Sequence, residues 1–439
     1  MSVIVDAFAD GIIDDAILVP VSINYEKLVD GNFVNEQQGV PKQRETFKTA
    51  MSSIWKILNS HFGLMRIDFN EPFSLKELVK SFNDSKTENL PAPGARKLLT
   101  GPSTTSLYGI EVIDKHRVLV DNIARHVVYD CSYATSIMST NAVAYLLLNR
   151  FRHGASLKII ADTLTQLRLQ IGNNRDFAFS EESIEVVKNA IKLLGAGLVQ
   201  QQQGADQQTF IKPVLMVPNV IELAYYSNTF VPHFALDAVV ITALSTTNGQ
   251  PILNDTIIET SLEYCDILRY EFILCKPCQN LAQQIERSIR RLVKLSTIQK
   301  SISNNKTNAD VQDVMLNINK KKSNEHQTLL STLAPFNITY HAVAECLSQL
   351  LTHQSMTEAD FIKTCLVHIT DKVNSGAITY GESISTDSIR NCIKLLEKWQ
   401  VMETEVNDGI RLVSLCLLYN SPIGVQSIID KIGRFVIME

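Results

Sequence analysis

The sequence predicts a short α/β segment followed by a mainly α region that carries a repeated unit of three helices and a hairpin. Three observations predict it. Residues 1 to 82 alternate strand-like and helix-like stretches, and from about residue 107 the apolar residues recur at helical spacing. The string Ile-Lys-Leu-Leu also occurs twice, at 191–194 and 393–396, each time just before a hairpin signal. At 439 residues the chain is too long for one core and suggests two or three domains.

Taken in order, Val3 to Phe8 and Ile17 to Ile23 are strand candidates. Glu45 to His61 places Phe47, Met51, Ile54, Ile57 and Leu58 at helical spacing, and Leu64 to Phe69 is another strand. This β-α-β order predicts parallel pairing with the helix as crossover. A parallel sheet needs helices on both faces, so 1–82 reads as the tail of a larger α/β domain. Pro91, Pro93, Gly94, Gly101 and Pro102 mark 83–115 as a linker.

From 116 to 300 a helical region is expected, with the first repeated unit at about 137–212. Its helices are Asn141 to Phe151, Ser156 to Leu164 and Ser183 to Leu194, with a hairpin over Leu198 to Ile211. The second unit occupies 328–439: Tyr340 to Leu351, Thr357 to His368, Asp387 to Trp399, then strands Val401 to Glu405 and Ile410 to Leu415 across Asn407-Asp-Gly409, a strong hairpin turn. Three helices and a wing make each unit winged-helix-like. A third helix that reads DNA needs a basic outer face, whereas the first copy carries Glu181, Glu182 and Glu185, so a scaffold without nucleic acid is expected. Between the units, Val214 to Leu268 lacks Lys and Arg and reads as buried linking helices. Gln279 to Leu295 is an amphipathic surface helix, and Asn-, Ser- and Lys-rich 301–327 a mobile linker.

Composition excludes several classes. With 45% apolar and 20% charged residues and a net charge of -5, the chain is globular and lacks the basic excess of a nucleic-acid binder. Its eight cysteines are scattered, which favours a reducing compartment over a disulfide scaffold. No apolar run reaches the roughly 18–20 residues of a spanning helix. Acidic Asp6, Asp10, Asp14 and Asp15 exclude a signal or transit peptide at the start.

Chemical motifs are few. Cys275-Lys-Pro-Cys278 has the spacing of half a zinc site, but no second pair stands at a suitable distance, so no metal is expected. His116-Arg-Val-Leu-Val-Asp121 reads H-x-x-x-x-D, yet it opens a helix continued by Ile123, Val127 and Val128. It is assigned no catalytic role.

The most informative stretch is Ile17-Leu-Val-Pro-Val-Ser-Ile-Asn-Tyr25-Glu-Lys-Leu28, an apolar strand ending at polar Ser22, Asn24 and Tyr25. Glu36-Gln-Gln-Gly39-Val-Pro41-Lys42 and Arg66-Ile-Asp-Phe-Asn-Glu-Pro-Phe-Ser-Leu-Lys-Glu77 follow it. Together these resemble the glycerol-3-phosphate acyltransferases at the fourth of their signature blocks, I-P-V-x-I-S-Y-D/E, and the segment after it. Ser136 to Gly154, Ile191 to Gly195 and Glu222 to Asn228 are similar to the C-terminal region of the animal mitochondrial-type enzyme. The family's earlier blocks, an H-x-x-x-x-D pair, Gly-Phe-Phe-Ile-Arg-Arg and Glu-Gly-Thr-Arg-Ser-Arg, precede the fourth one, and the sequence starts at Met1 without them.

The resemblance implies an α/β remnant of the acyltransferase domain followed by a mainly α C-terminal region. The implied activity is transfer of a fatty acyl group from acyl-CoA, as co-substrate, to the sn-1 hydroxyl of glycerol 3-phosphate, in phospholipid and triacylglycerol synthesis. It implies no metal or other cofactor, and attachment to a membrane surface, the mitochondrial outer membrane. Pro20 would turn the strand end, and Ser22 and Tyr25 would face the substrate, although Ser22 stands where the family often has Gly and Asn24 where it has Ser. With no catalytic residue assigned, the expectation is a truncated family member, inactive alone. The alternatives are a non-catalytic module that partners the full enzyme and a relative of the dihydroxyacetone-phosphate acyltransferase. The end, Val436-Ile-Met-Glu439, carries no peroxisomal signal.

Overall fold

A computed structural model describes residues 1–28, 32–40, 46–85, 114–172, 176–203, 208–247, 249–303 and 313–437. Most of the expected linker at 83–115, and Pro41-Lys42 of the motif segment, fall outside them. The chain folds as two compact units. The smaller comprises Met1–Asn24, Arg66–Ser136 and Cys275–Leu281, and the larger Tyr25–Met65, Ile137–Leu274 and Ala282–Glu439.

The smaller unit departs from expectation at its start. Residues Ser2–Ala9 form a helix rather than a strand. The reason is a one-sided apolar face: Val5 is fully buried against Leu75, Leu78, Phe82 and Ile123, with Phe8 one turn on beside them. Expected parallel pairing is also overturned. Ile17–Leu18 pairs antiparallel with Phe73–Ser74. The strands Val21–Tyr25 and Met65–Phe69 pair with each other, and the bonds at their ends, Asn70 N–H to the Pro20 carbonyl (2.9 Å) and Glu26 N–H to the Leu64 carbonyl (3.0 Å), run in antiparallel register. Asp15 holds the turn into the helix Leu75–Ser85, accepting from Ser74 Oγ at 2.7 Å and Lys76 N–H at 2.9 Å.

The larger unit is mainly helical with three small sheets. Among the described residues, one arrangement recurs three times: a helix, a short strand, two helices and a hairpin, with the short strand paired to the hairpin's second strand. The first copy runs from helix Ser139–Asn149 through Ala155–Ser156, Leu157–Ile171 and Ser183–Leu194 to strands Val199–Gln203 and Thr209–Pro213. The last runs from helix Ser323–His353 through Ser355–Thr357, Glu358–Asn374 and Thr386–Lys398 to Met402–Asn407 and Ile410–Leu415. Between them stands a copy the sequence did not reveal: Ala235–Ser245, Ile252–Leu253, Asn254–Ile267, Leu281–Lys294, then Ile298–Ser303 and Asp313–Ile318. So 301–303 and 313–318, within the stretch expected as a mobile linker, are paired strands.

The three copies share local devices. Each hairpin is tied at its base by one bond, from Val214 N–H to the Leu198 carbonyl, Asn319 to Thr297, and Cys416 to Val401. In the second and third copies the third helix ends through a left-handed residue, Ser296 (φ 59°) and Gln400 (φ 57°). The following N–H then bonds back to Leu292 or Leu396, which closes both helices in the same way. In the first and third copies Ser156 and Thr357 cap the second helix, accepting from Ile159 and Asp360 N–H. The long helix Ser323–His353 packs on Ala235–Ser245, Ser139–Asn149 and Pro422–Gly433, so copies share one core. Tyr145, Tyr264 and Tyr340 are fully buried in it.

Candidate functional site

The ribbon Val21–Tyr25 and Met65–Phe69 carries the residues singled out in the sequence. Strand alternation divides it into two faces. Ser22, Asn24, Arg66 and Asp68 lie on the inner one, where the Asn24 side chain donates to the Ser136 carbonyl (2.9 Å) and Asp68 accepts from Ser136 N–H (3.0 Å) and Arg66 Nε (2.8 Å). Burial works to raise the Asp68 carboxyl, but Arg66 and Ser136 outweigh it and hold it below the usual carboxylate range. Pro20 is buried, and its carbonyl accepts from Asn70. Ser22 is 8% exposed, and its hydroxyl is sealed from solvent with no hydrogen-bond partner among the described residues. Tyr25 lies on the other face, 41% exposed. The structure therefore brings Pro20 and Ser22 together and places Tyr25 away from them.

That outer face is apolar and open. Ile17, Val19, Val21, Ile23, Ile67 and Phe69 are all exposed, Phe69 at 73%. A soluble ribbon normally turns such residues inward. Here the polar face is the packed one: it rests on the end of helix Asp114–Ala134, where Asn70 donates to the Asp130 carbonyl at 3.2 Å and Cys131 Sγ lies 3.6 Å from the Val21 carbonyl. Asp130 itself is clamped by Lys276 (2.6 Å) and by His126 (3.3 Å). Burial holds the His126 imidazole below its ordinary value despite Asp130.

Just past the ribbon, Glu26 anchors the chain within the larger unit. Its carboxylate accepts from Ser139 Oγ (2.9 Å) and Leu64 N–H (2.9 Å), and its carbonyl from Thr140 Oγ1 (2.8 Å). Leu28 N–H donates to the Tyr226 hydroxyl at 2.9 Å, and Asn141 donates to the Tyr226 carbonyl at 3.1 Å. Burial pushes the Tyr226 phenol up to about 12, so it stays protonated. Farther on, Gln37 donates to Asp387 at 2.6 Å and accepts from Ser385 at 2.9 Å, while its carbonyl accepts from Thr386 at 2.8 Å. Sequence reasoning quoted these stretches but missed the roles of Glu26, Asn141, Tyr226 and Gln37.

Two further motifs lie elsewhere in the chain. His116 and Asp121 stand five positions apart on helix Asp114–Ala134, roughly 140° around its axis, and Asp121 holds Arg125 at 2.9 Å. Cys275 and Cys278 are free thiols. Burial, and secondarily Cys278, pushes Cys275 up to about 11. Among the described residues no group of three or more His, Cys, Asp or Glu is placed to hold a metal, and no helix is long and apolar enough to cross a membrane.

The family model described as "Glycerol-3-phosphate acyltransferase C-terminal region" matches residues 33–405, and the chain belongs to that family. The chain is 24% identical over 503 aligned positions to the mitochondrial glycerol-3-phosphate acyltransferase 1 of Sus scrofa and 22% identical over 504 to that of Homo sapiens. Each alignment covers 100% of this chain and 60% of the relative. The human dihydroxyacetone phosphate acyltransferase is 32% identical over 91 residues, 20% of this chain and 13% of that protein. The chain thus spans 60% of the length of its mitochondrial relatives.

Proposed function

We propose that the chain is the C-terminal portion of an acyl-CoA:sn-glycerol-3-phosphate 1-O-acyltransferase. The observation that carries this reading, beside family membership, is the ribbon built inside out. Its polar face is packed, and its apolar face is bare where an α/β acyltransferase domain would continue. In this reading an upstream segment covers that face and brings the H-x-x-x-x-D and Glu-Gly-Thr-Arg-Ser-Arg blocks. Its His takes the proton from the acceptor hydroxyl, the oxygen attacks the thioester carbonyl, and the carbon–sulfur bond breaks to release coenzyme A as the thiol. Tyr25, on the open outer face, is the residue of the fourth block that meets substrate in this reading, while Pro20 and Ser22 support the strand from its packed face.

The helical region acts as a scaffold of winged-helix-like units, with Glu26, Tyr226 and Gln37 bonded within it. Its proposed mitochondrial location is supported by the mitochondrial relatives, and its attachment to a membrane surface rests on the family resemblance alone. A dihydroxyacetone-phosphate acceptor is the second reading, favoured by the 91-residue match to the human enzyme of that name. The test is acyl transfer from palmitoyl-CoA to radiolabelled glycerol 3-phosphate or dihydroxyacetone phosphate by the 439-residue chain, alone and mixed with the upstream segment of a mitochondrial relative. Activity confined to the mixture is expected, and the preferred acceptor decides between the two readings.

A further inference from the structure

A cavity of about 190 Å³ lies within the larger unit. Phe33, Ile221, Val231 and Phe336 give it apolar walls, and Glu271, Glu382 and Asp387 bring carboxyl groups to it. Among the described residues that line it there is no Lys, Arg or His. Two of the three carboxylates are satisfied. Glu382 holds Arg152 in a two-pronged pair at 2.7 and 2.8 Å, and Asp387 accepts from Gln37 at 2.6 Å.

Glu271 differs. Its Oε1 is sealed from solvent and no group meets it at full hydrogen-bonding geometry, although Tyr340, Asn391 and Ser388 stand close enough to act on the carboxyl. Burial pushes the Glu271 carboxyl up to about 7, although Tyr340, Asn391 and Ser388 work to lower it. A buried carboxyl oxygen without a well-formed hydrogen bond costs stability, and native proteins retain such groups where a ligand or ion completes them. The space is that of about six waters at ~30 Å³ each, enough for a short organic molecule.

We propose that this cavity is a binding site for a small organic cation, whose ammonium donates to Glu271 while its hydrocarbon body lies between Phe336 and Ile221. Nothing in the acyl-transfer reading calls for this site, and the two stand or fall separately. The groups that face Glu271 are Tyr340 and Cys392, the Asp387 carboxylate, and the Glu382–Arg152 pair on the same cavity. None of these supplies an unpaired positive charge.

The probe is butylammonium, with 1-butanol as the neutral molecule of the same size, titrated calorimetrically into the 439-residue chain. Saturable one-to-one binding of butylammonium and none of butanol is expected. Affinity should rise about tenfold from pH 6 to pH 8, as a group titrating near 7 becomes ionised. Glu271→Gln should weaken binding at least tenfold. Ala224→Leu, which fills the cavity from helix Asn219–Asn228, should abolish it while leaving Glu271 in place. Absence of saturable binding overturns the proposal, as does equal binding of butanol or undiminished affinity in a folded Glu271→Gln variant.

Discussion

Glu382→Gln tests how the copies within the larger unit are locked together. Arg152 follows the first helix of the first copy, and Glu382 lies in the turn Gly381–Ser383 before the third helix of the last. Their side chains are 12% and 6% exposed. The guanidinium also donates to the Thr379 carbonyl at 2.9 Å and lies 4.5 Å from the Tyr380 ring centre. A glutamine keeps the shape but removes the charge, leaving the arginine buried without its counter-ion, which costs about 3–5 kcal/mol. A unit of about 340 residues has an unfolding entropy of about 0.7 kcal/mol/K, so the melting temperature should fall by about 4–7 °C. Differential scanning calorimetry measures it. The double variant Arg152→Met with Glu382→Leu should lose much less than the sum of its single changes, because neither charge is then left alone. A shift below about 1 °C for Glu382→Gln, or strict additivity in the double variant, refutes the reasoning.

Three further outcomes follow from the same geometry. Gly154 has φ +93°, and a Cβ there would lie 2.5 Å from the Phe210 ring and 2.8 Å from the Ile211 carbonyl, so Gly154→Ala should cost about 1–3 kcal/mol, read as a lower melting temperature. Glu271 binds its proton more tightly folded, at about 7, than unfolded, at about 4.5, so its contribution to stability is present below 4.5 and is lost as pH rises to 7. Glu271→Gln should therefore gain on the wild type by about 3 kcal/mol across that window and hold the gain above it; parallel stability curves would contradict this. Ser22→Ala removes a buried hydroxyl without a partner, so stability should be unchanged or slightly raised; a melting temperature lowered by several degrees would show that the hydroxyl is bonded after all.

Much of the helical region was legible because its signals are local. The helix Ser183–Leu194 matches expectation residue for residue, and Asn407-Asp-Gly409 correctly marks the hairpin of the last copy. The middle copy escaped notice for a physical reason: Leu268–Asn280 separates its second and third helices, and its hairpin strands are separated in sequence by the Asn-rich 304–312. Both interruptions destroy the sequence spacing of the copy. At the start, the β-branched Val3-Ile-Val5 suggested a strand, and burial of Val5 and Phe8 on one helical face prevailed. The site was legible only as a block of letters. That Ser22 is buried follows from strand alternation, and the same alternation puts Tyr25 on the opposite face, which the expectation of both facing substrate overlooked. The Glu26, Asn141, Tyr226 and Gln37 bonds join residues 38 to 350 positions apart, and no local pattern announces them.

The central claim is that the ribbon is one part of an acyl-transfer site completed by an upstream segment. The direct measurement is palmitoyl transfer to radiolabelled glycerol 3-phosphate by the 439-residue chain mixed with that segment, alongside each component alone. Lysophosphatidic acid formed only in the mixture, and lost when an outward residue of the ribbon is changed by Ile23→Asp, is the predicted result. No product in the mixture contradicts the claim and points to a non-catalytic module, and turnover by the chain alone that is lost in His116→Ala contradicts it from the other side.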